Sequence, residues 1–106
     1  MAIFKIKNNE LIKVNNIKIE RAKVPSNVYA IGWHAFENCT SLESVIIPDS
    51  VKTIGLNAFH GCTSLKEIKI PNSVKSIGHG AFGHCSDDLK KLVFEQLSED
   101  CIWFDS

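Results

Sequence analysis

Hydrophobic positions in this chain come in short alternating bursts that return at a fixed interval. Ala22 and Val24, Val45 and Ile47, and Ile68 and Ile70 each bracket one residue, respectively Lys23, Ile46 and Lys69. Period-two alternation of this kind predicts a β-strand with one buried face. Ile19, Leu42 and Leu65 stand three positions ahead of each burst, and Pro25, Pro48 and Pro71 follow it 23 residues apart. A proline has no N–H to give to a ladder, so each strand should end there, with Asp49-Ser50 or Asn72-Ser73 forming the turn.

Beyond the prolines the columns continue in step: Val28, Val51, Val74; Ile31, Ile54, Ile77; Gly32, Gly55, Gly78; Ala35-Phe36, Ala58-Phe59, Ala81-Phe82; Cys39, Cys62, Cys85. Val51 and Ile54 predict a short second extended segment, and Gly55 is expected to take the positive φ of a sharp bend. Asn57 to Cys62 has room for one turn of helix with Ala58, Phe59 and Cys62 inward. Leu89, Leu92 and Phe94 read as a fourth strand, one position late because Cys85-Ser-Asp-Asp-Leu89 carries an extra residue.

One such unit cannot bury its apolar residues alone, so neighbouring units must stack into a continuous core, with Phe36, Phe59 and Phe82 forming an aromatic ladder. The unit, roughly Leu-x-x-Val-x-Ile-Pro-x-x-Val-x-x-Ile-Gly-x-x-Ala-Phe-x-x-Cys over residues 17 to 94, resembles the BspA-like, or Treponema-type, leucine-rich repeats. That resemblance implies an α/β solenoid: a short right-handed superhelix of 23-residue repeats with parallel concave strands, short convex strands and helical turns. It also implies a role in protein or surface binding, often by surface or secreted proteins, and supplies no catalytic residues.

Solenoid ends expose apolar faces and strand edges that need covers. Ala2 to Ile6 and Leu11 to Val14 flank Lys7-Asn-Asn-Glu10, which predicts a hairpin covering the first strand. Leu97, Cys101, Ile102, Trp103 and Phe104 lie among acids and predict either an apolar flap over the last repeat or a subunit contact. The expected organisation is one domain over 1–106: cap 1–16, repeats 17–94, cap 95–106.

Charge changes this picture only through its distribution. Twelve bases cancel twelve acids, so no field gathers nucleic acid or an anionic membrane, and neither is expected as a partner. Yet residues 1–23 hold six bases and two acids, 24–85 balance, and 86–106 hold two bases and six acids, giving ends of +4 and −4. The start carries lysines where a signal peptide needs an apolar stretch of roughly 7–15 residues. A cytoplasmic location is the expectation.

Candidate chemistry is sparse. Three of the four cysteines share one column, a spacing unlike a zinc knuckle or a disulfide framework, and read as core thiols; Cys101 stands apart as the reactive candidate. His34, His60, His79 and His84 gather near the bends, but no carboxylate accompanies them and no metal is expected. The glycines recur singly, no nucleophile motif or phosphate-cradling loop is present, and neither an enzyme nor a cofactor is expected.

A partner is expected on residues left between buried positions. The central exposed column reads Lys23, Ile46, Lys69, Val93; beside it run Glu20, Glu43, Lys66, Lys90 and Arg21, Ser44, Glu67, Lys91. Ile46 and Val93, ringed by charge, suit an interface centre, or serve simply as good strand formers. Trp33, with Tyr29, is a second anchor candidate, or packs on the N-terminal hairpin. The function expected is a protein-binding module, a stand-alone binder or inhibitor that occludes one target; the alternative is a self-associating structural or surface-adhesion unit, a homo-oligomer favoured by the opposed end charges.

Overall fold

The computed structural model describes residues 4–104. Ala2 and Ile3, assigned above to the first hairpin strand, lie outside them. Nine strands and one helix follow in order: β1 Phe4–Lys7, β2 Glu10–Val14, β3 Arg21–Lys23, β4 Ala30–Ile31, β5 Ser44–Ile46, β6 Thr53–Ile54, β7 Glu67–Lys69, β8 Ser76–Ile77, α1 Asp87–Gln96 and β9 Ile102–Trp103. The strands form two sheets, a three-stranded one in the order β3-β5-β7 and a six-stranded one in the order β1-β2-β4-β6-β8-β9. All pairs are parallel except the β1–β2 hairpin.

Facing residues in the three-stranded sheet are Arg21, Ser44 and Glu67, then Ala22, Val45 and Ile68, then Lys23, Ile46 and Lys69. Each sits 23 positions beyond its neighbour, so the hydrophobic columns of the sequence become physical columns in a core between the sheets. Val28, Ile31, Phe36, Leu42, Val45 and their equivalents are all buried, and among the described residues the core holds no charged side chain. Phe36 stacks on Phe59 at 4.8 Å and Phe59 on Phe82 at 5.3 Å, with Phe4 and Trp103 packed across the two ends of the ladder at 6.2 and 6.0 Å.

The segment after each bend is not the predicted turn of helix. Its N–H groups alternate: Ala35, Glu37 and Cys39 close turns onto Gly32, His34 and Phe36, while His34, Phe36 and Asn38 donate forward to Leu56, Ala58 and His60 of the next repeat. An α-helix joins an N–H to the carbonyl four residues back, whereas these amides reach three residues back or across to the next repeat. Positive φ at His34, Asn57 and Gly80, and again at Asn38, Gly61 and His84, turns alternate amides toward the neighbour. The Gly32, Gly55, Gly78 column, expected to supply positive φ, does not. A Cβ on Gly78 would stand 2.7 Å from the Leu56 backbone nitrogen, and one on Gly32 2.8 Å from the Leu11 carbonyl oxygen. Close approach of adjacent repeats, not a left-handed bend, is what requires glycine there.

Both ends differ from expectation. The hairpin turns at Asn8 and Asn9, both with positive φ as a primed turn demands, and β2 extends the six-stranded sheet through Leu11 opposite Ile31 rather than covering β3. At the other end Leu89, Leu92 and Phe94 lie within α1 and not in a fourth strand. Ser86 caps the helix by accepting the Leu89 N–H at 3.1 Å, and Asp87 and Asp88 complement its dipole. Leu89 and Val93, one turn apart, face the core.

Candidate binding face on the three-stranded sheet

On β3, β5 and β7 alternation does what the sequence requires. Ala22, Val45 and Ile68 face the core, while Arg21, Lys23, Ile46, Glu67 and Lys69 are exposed and Ser44 is half-buried. Ile46 is 47% exposed and lies between Lys23 and Lys69 in register, an aliphatic side chain with an ammonium on each side. The neighbouring column, Arg21-Ser44-Glu67, carries both signs. Lys66 stands 3.9 Å from Glu43, both solvated, a pair worth little on its own.

A groove of about 310 Å³ runs over this face, lined by β5 from Ser44 to Ile46 and β7 from Glu67 to Lys69, with Leu92 at the helix end. Val93, expected at the end of the exposed column, is instead fully buried in α1. Leu92 is the residue from that segment that reaches the groove, and Lys90 and Lys91 lie on the helix rather than in strand columns. The face therefore consists of three strands and one helix flank.

Sequence reasoning missed Gln96, which closes the outer edge of β7. Val24 and Ile47 each donate their backbone N–H to the next strand, at Ile46 and Lys69. Ile70, the third in that column, has no further strand and donates to Gln96 Oε1 at 3.0 Å, while Gln96 Nε2 donates to the Ile68 carbonyl at 2.8 Å. One side-chain amide thus stands in for a strand.

Trp33 and Tyr29, 70% and 58% exposed, belong to the other sheet, on either side of β4. The Trp33 ring lies over Gly55 of the next repeat, where an added Cβ would meet its Cδ1 at 2.8 Å, and it is not buried beneath the hairpin. The two predicted candidate surfaces are therefore not brought together. The histidines do have a carboxylate: Glu37 is 3.1 Å from His34 Nδ1 and 3.9 Å from His60 Nδ1, and the His60 and His84 rings meet edge to face. Among the described residues no three or more His, Cys, Asp or Glu side chains converge to hold a metal ion.

Burial raises the pKa of the Cys39, Cys62 and Cys85 thiols, that of Cys85 to about 11. The Cys62 and Cys85 S–H groups donate to the Phe36 and Phe59 carbonyls of the preceding repeat. Cys101 is half-buried, and desolvation followed by the charge of Asp100 raises its pKa also, which opposes the thiolate that a reactive cysteine needs.

Residues 6–101 match the model of the BspA type leucine-rich repeat region, in six copies. The chain belongs to this family. The BspA-type fold agrees with solved structures of a leucine-rich repeat protein from Bacteroides ovatus, 39% identical over 84% of this chain with a TM-score of 0.68. The T. pallidum leucine-rich repeat protein is 29% identical over 78% with a TM-score of 0.68. A leucine-rich cell surface protein from Faecalibacterium prausnitzii is 29% identical over 100% with a TM-score of 0.67. This BspA-type chain spans 22%, 42% and 30% of those three chains respectively. No curated protein matches it. Among the described residues no helix is long and apolar enough to cross a membrane.

Proposed function

We propose that this chain is a protein-binding repeat domain that holds one protein target against its three-stranded sheet and acts by occluding that target. The observation that carries this reading is the exposed Ile46 at the centre of a regular sheet, beside a groove and between Lys23 and Lys69. Leucine-rich repeats generally mediate protein–protein interaction. A stack of paired strands is preorganised, so little entropy is lost on docking and a few residues can carry most of the affinity. In this reading the stack is a short right-handed solenoid with the three-stranded sheet as its concave face, Lys23, Glu43, Lys66, Glu67 and Lys69 form the rim, and no reaction is catalysed. The target meets it in the cytoplasm.

A photo-crosslinking residue in place of Ile46, used in lysate of the native source, tests the proposal. Capture of one dominant protein from position 46, and not from position 33, is the expected outcome. Capture from Trp33 alone would move the site to the other sheet. A second reading, adhesion at a cell surface, draws support from the Faecalibacterium prausnitzii relative, described as a cell surface protein.

A further inference from the structure

The C-terminal end of the stack treats its two sheet edges differently. The β7 edge is closed by Gln96, whereas among the described residues no strand pairs with the outer edge of β9. Ile102 and Phe104 give their N–H groups inward to Lys75 and Ile77, so the N–H and C=O of Trp103, which alternate with them, point to the open side. Around this edge Phe94, Ile102 and Phe104 are 71%, 57% and 66% exposed. Phe94, Leu97, Cys101 and Trp103 line a hollow of about 590 Å³ whose rim carries Glu95 and Glu99. The buried Trp103 indole N–H has no acceptor among the described residues. An open strand edge beside exposed aromatics invites a further strand.

We propose that copies of this chain associate head to tail, the β9 edge of one receiving the β1 edge of the next. Among the described residues β1 is the other edge strand of the same six-stranded sheet. It runs antiparallel to β2, and every later strand of that sheet is parallel to β2, so in a stack of like-oriented copies β9 would meet the incoming β1 as an antiparallel pair. Charge selects this arrangement over a symmetric one. Hairpin residues 4–14 carry Lys5, Lys7 and Lys13 against Glu10, a net +2. Residues 86–104 carry Asp87, Asp88, Glu95, Glu99 and Asp100 against Lys90 and Lys91, a net −3. Two C-terminal ends repel each other, whereas Lys5 and Lys7, exposed on β1, complement Glu95 and Glu99. The contact is heterologous, and unless rotation closes a ring it builds open chains of copies.

Sedimentation velocity of the full chain over a concentration series tests this, with two charge-reversed variants whose melting curves confirm the fold. Lys5→Glu with Lys7→Glu reverses one end; Glu95→Lys with Glu99→Lys reverses the other. The expected result is association that weakens as salt is raised, and that each reversal weakens about tenfold or more. An equimolar mixture of the two variants should recover it, because each then meets an oppositely charged end. The proposal is overturned by a wild-type monomer at every concentration, by association that only the C-terminal reversal weakens, or by a mixture that stays monomeric.

Discussion

At the scale of single residues, the cysteine column shows how a small side chain is fixed by two demands at once. Cys62 and Cys85 fill space inside the ladder and donate to a carbonyl of the preceding repeat, so the neutral thiol is the form the fold holds. The sign of the resulting pH dependence follows. The Cys85 thiol titrates near 9.0 when unperturbed and near 11 in the folded protein, so the unfolded chain loses its proton first as pH rises. The stability it contributes is complete below about pH 9 and falls away toward pH 11, by about 2–3 kcal/mol. Chemical denaturation at pH 8 and pH 11 should therefore show a smaller alkaline loss for Cys85→Ala than for wild type. Thiol labelling of the native protein at pH 8 should modify Cys101 well before Cys39, Cys62 or Cys85; equal rapid labelling of all four would contradict their burial. The glycine column makes a separate demand, since Gly78→Ala forces a methyl against the Leu56 backbone. It should destabilise by about 1–3 kcal/mol in the same denaturation assay, as overpacking does.

At the scale of elements, the middle of the chain was legible because strand and column coincide: Pro48 ends the segment after β5, and Val45 and Ile47 are buried as the alternation requires. The hairpin at the N-terminal end was legible as well, but the C-terminal end was not, for a reason that lies in the register itself. Leu89, Leu92 and Phe94 continue the repeat column, which hid a helix signature in the same residues: Ser86 as cap, two aspartates in the first turn, and Leu89 with Val93 four apart. The extra residue at Asp87-Asp88 was the available signal. Val93 passed from exposed strand to buried helix with that misassignment, while Ile46 and Lys69, inside the regular register, stayed exposed. The alternating turn after each bend was missed because His34 and His84 signal positive φ less strongly than glycine or asparagine does, although Asn38, Asn57, Gly61 and Gly80 in the same two columns carried that signal. Gln96 cannot be read from periodicity, since its role depends on where the helix ends. Replacing Gln96 with Ala should leave the Ile68 carbonyl and the Ile70 N–H without protein partners and cost about 1–3 kcal/mol in thermal or chemical unfolding. Wild-type stability in that variant would show that water serves the edge equally well.

At the scale of the molecule, repeats touch only their neighbours, so a break in the middle separates the two ends. Phe59, fully buried between Phe36 and Phe82, is the central rung. Phe59→Ala should cost roughly 3–5 kcal/mol, a large share of the 5–15 kcal/mol typical of a whole domain. The same stack that makes Phe59 sensitive makes the β3-β5-β7 face rigid, and Ile46 and Lys69 point away from the core that supports it. Their substitution should therefore separate binding from folding. Calorimetric titration of the protein captured through position 46, against wild type and against Ile46→Glu with Lys69→Glu, tests this most directly. The account predicts an unchanged melting temperature and an affinity at least about tenfold weaker for the double variant. Undiminished affinity of the double variant, with loss on Trp33→Ala in a still-folded chain, would contradict it.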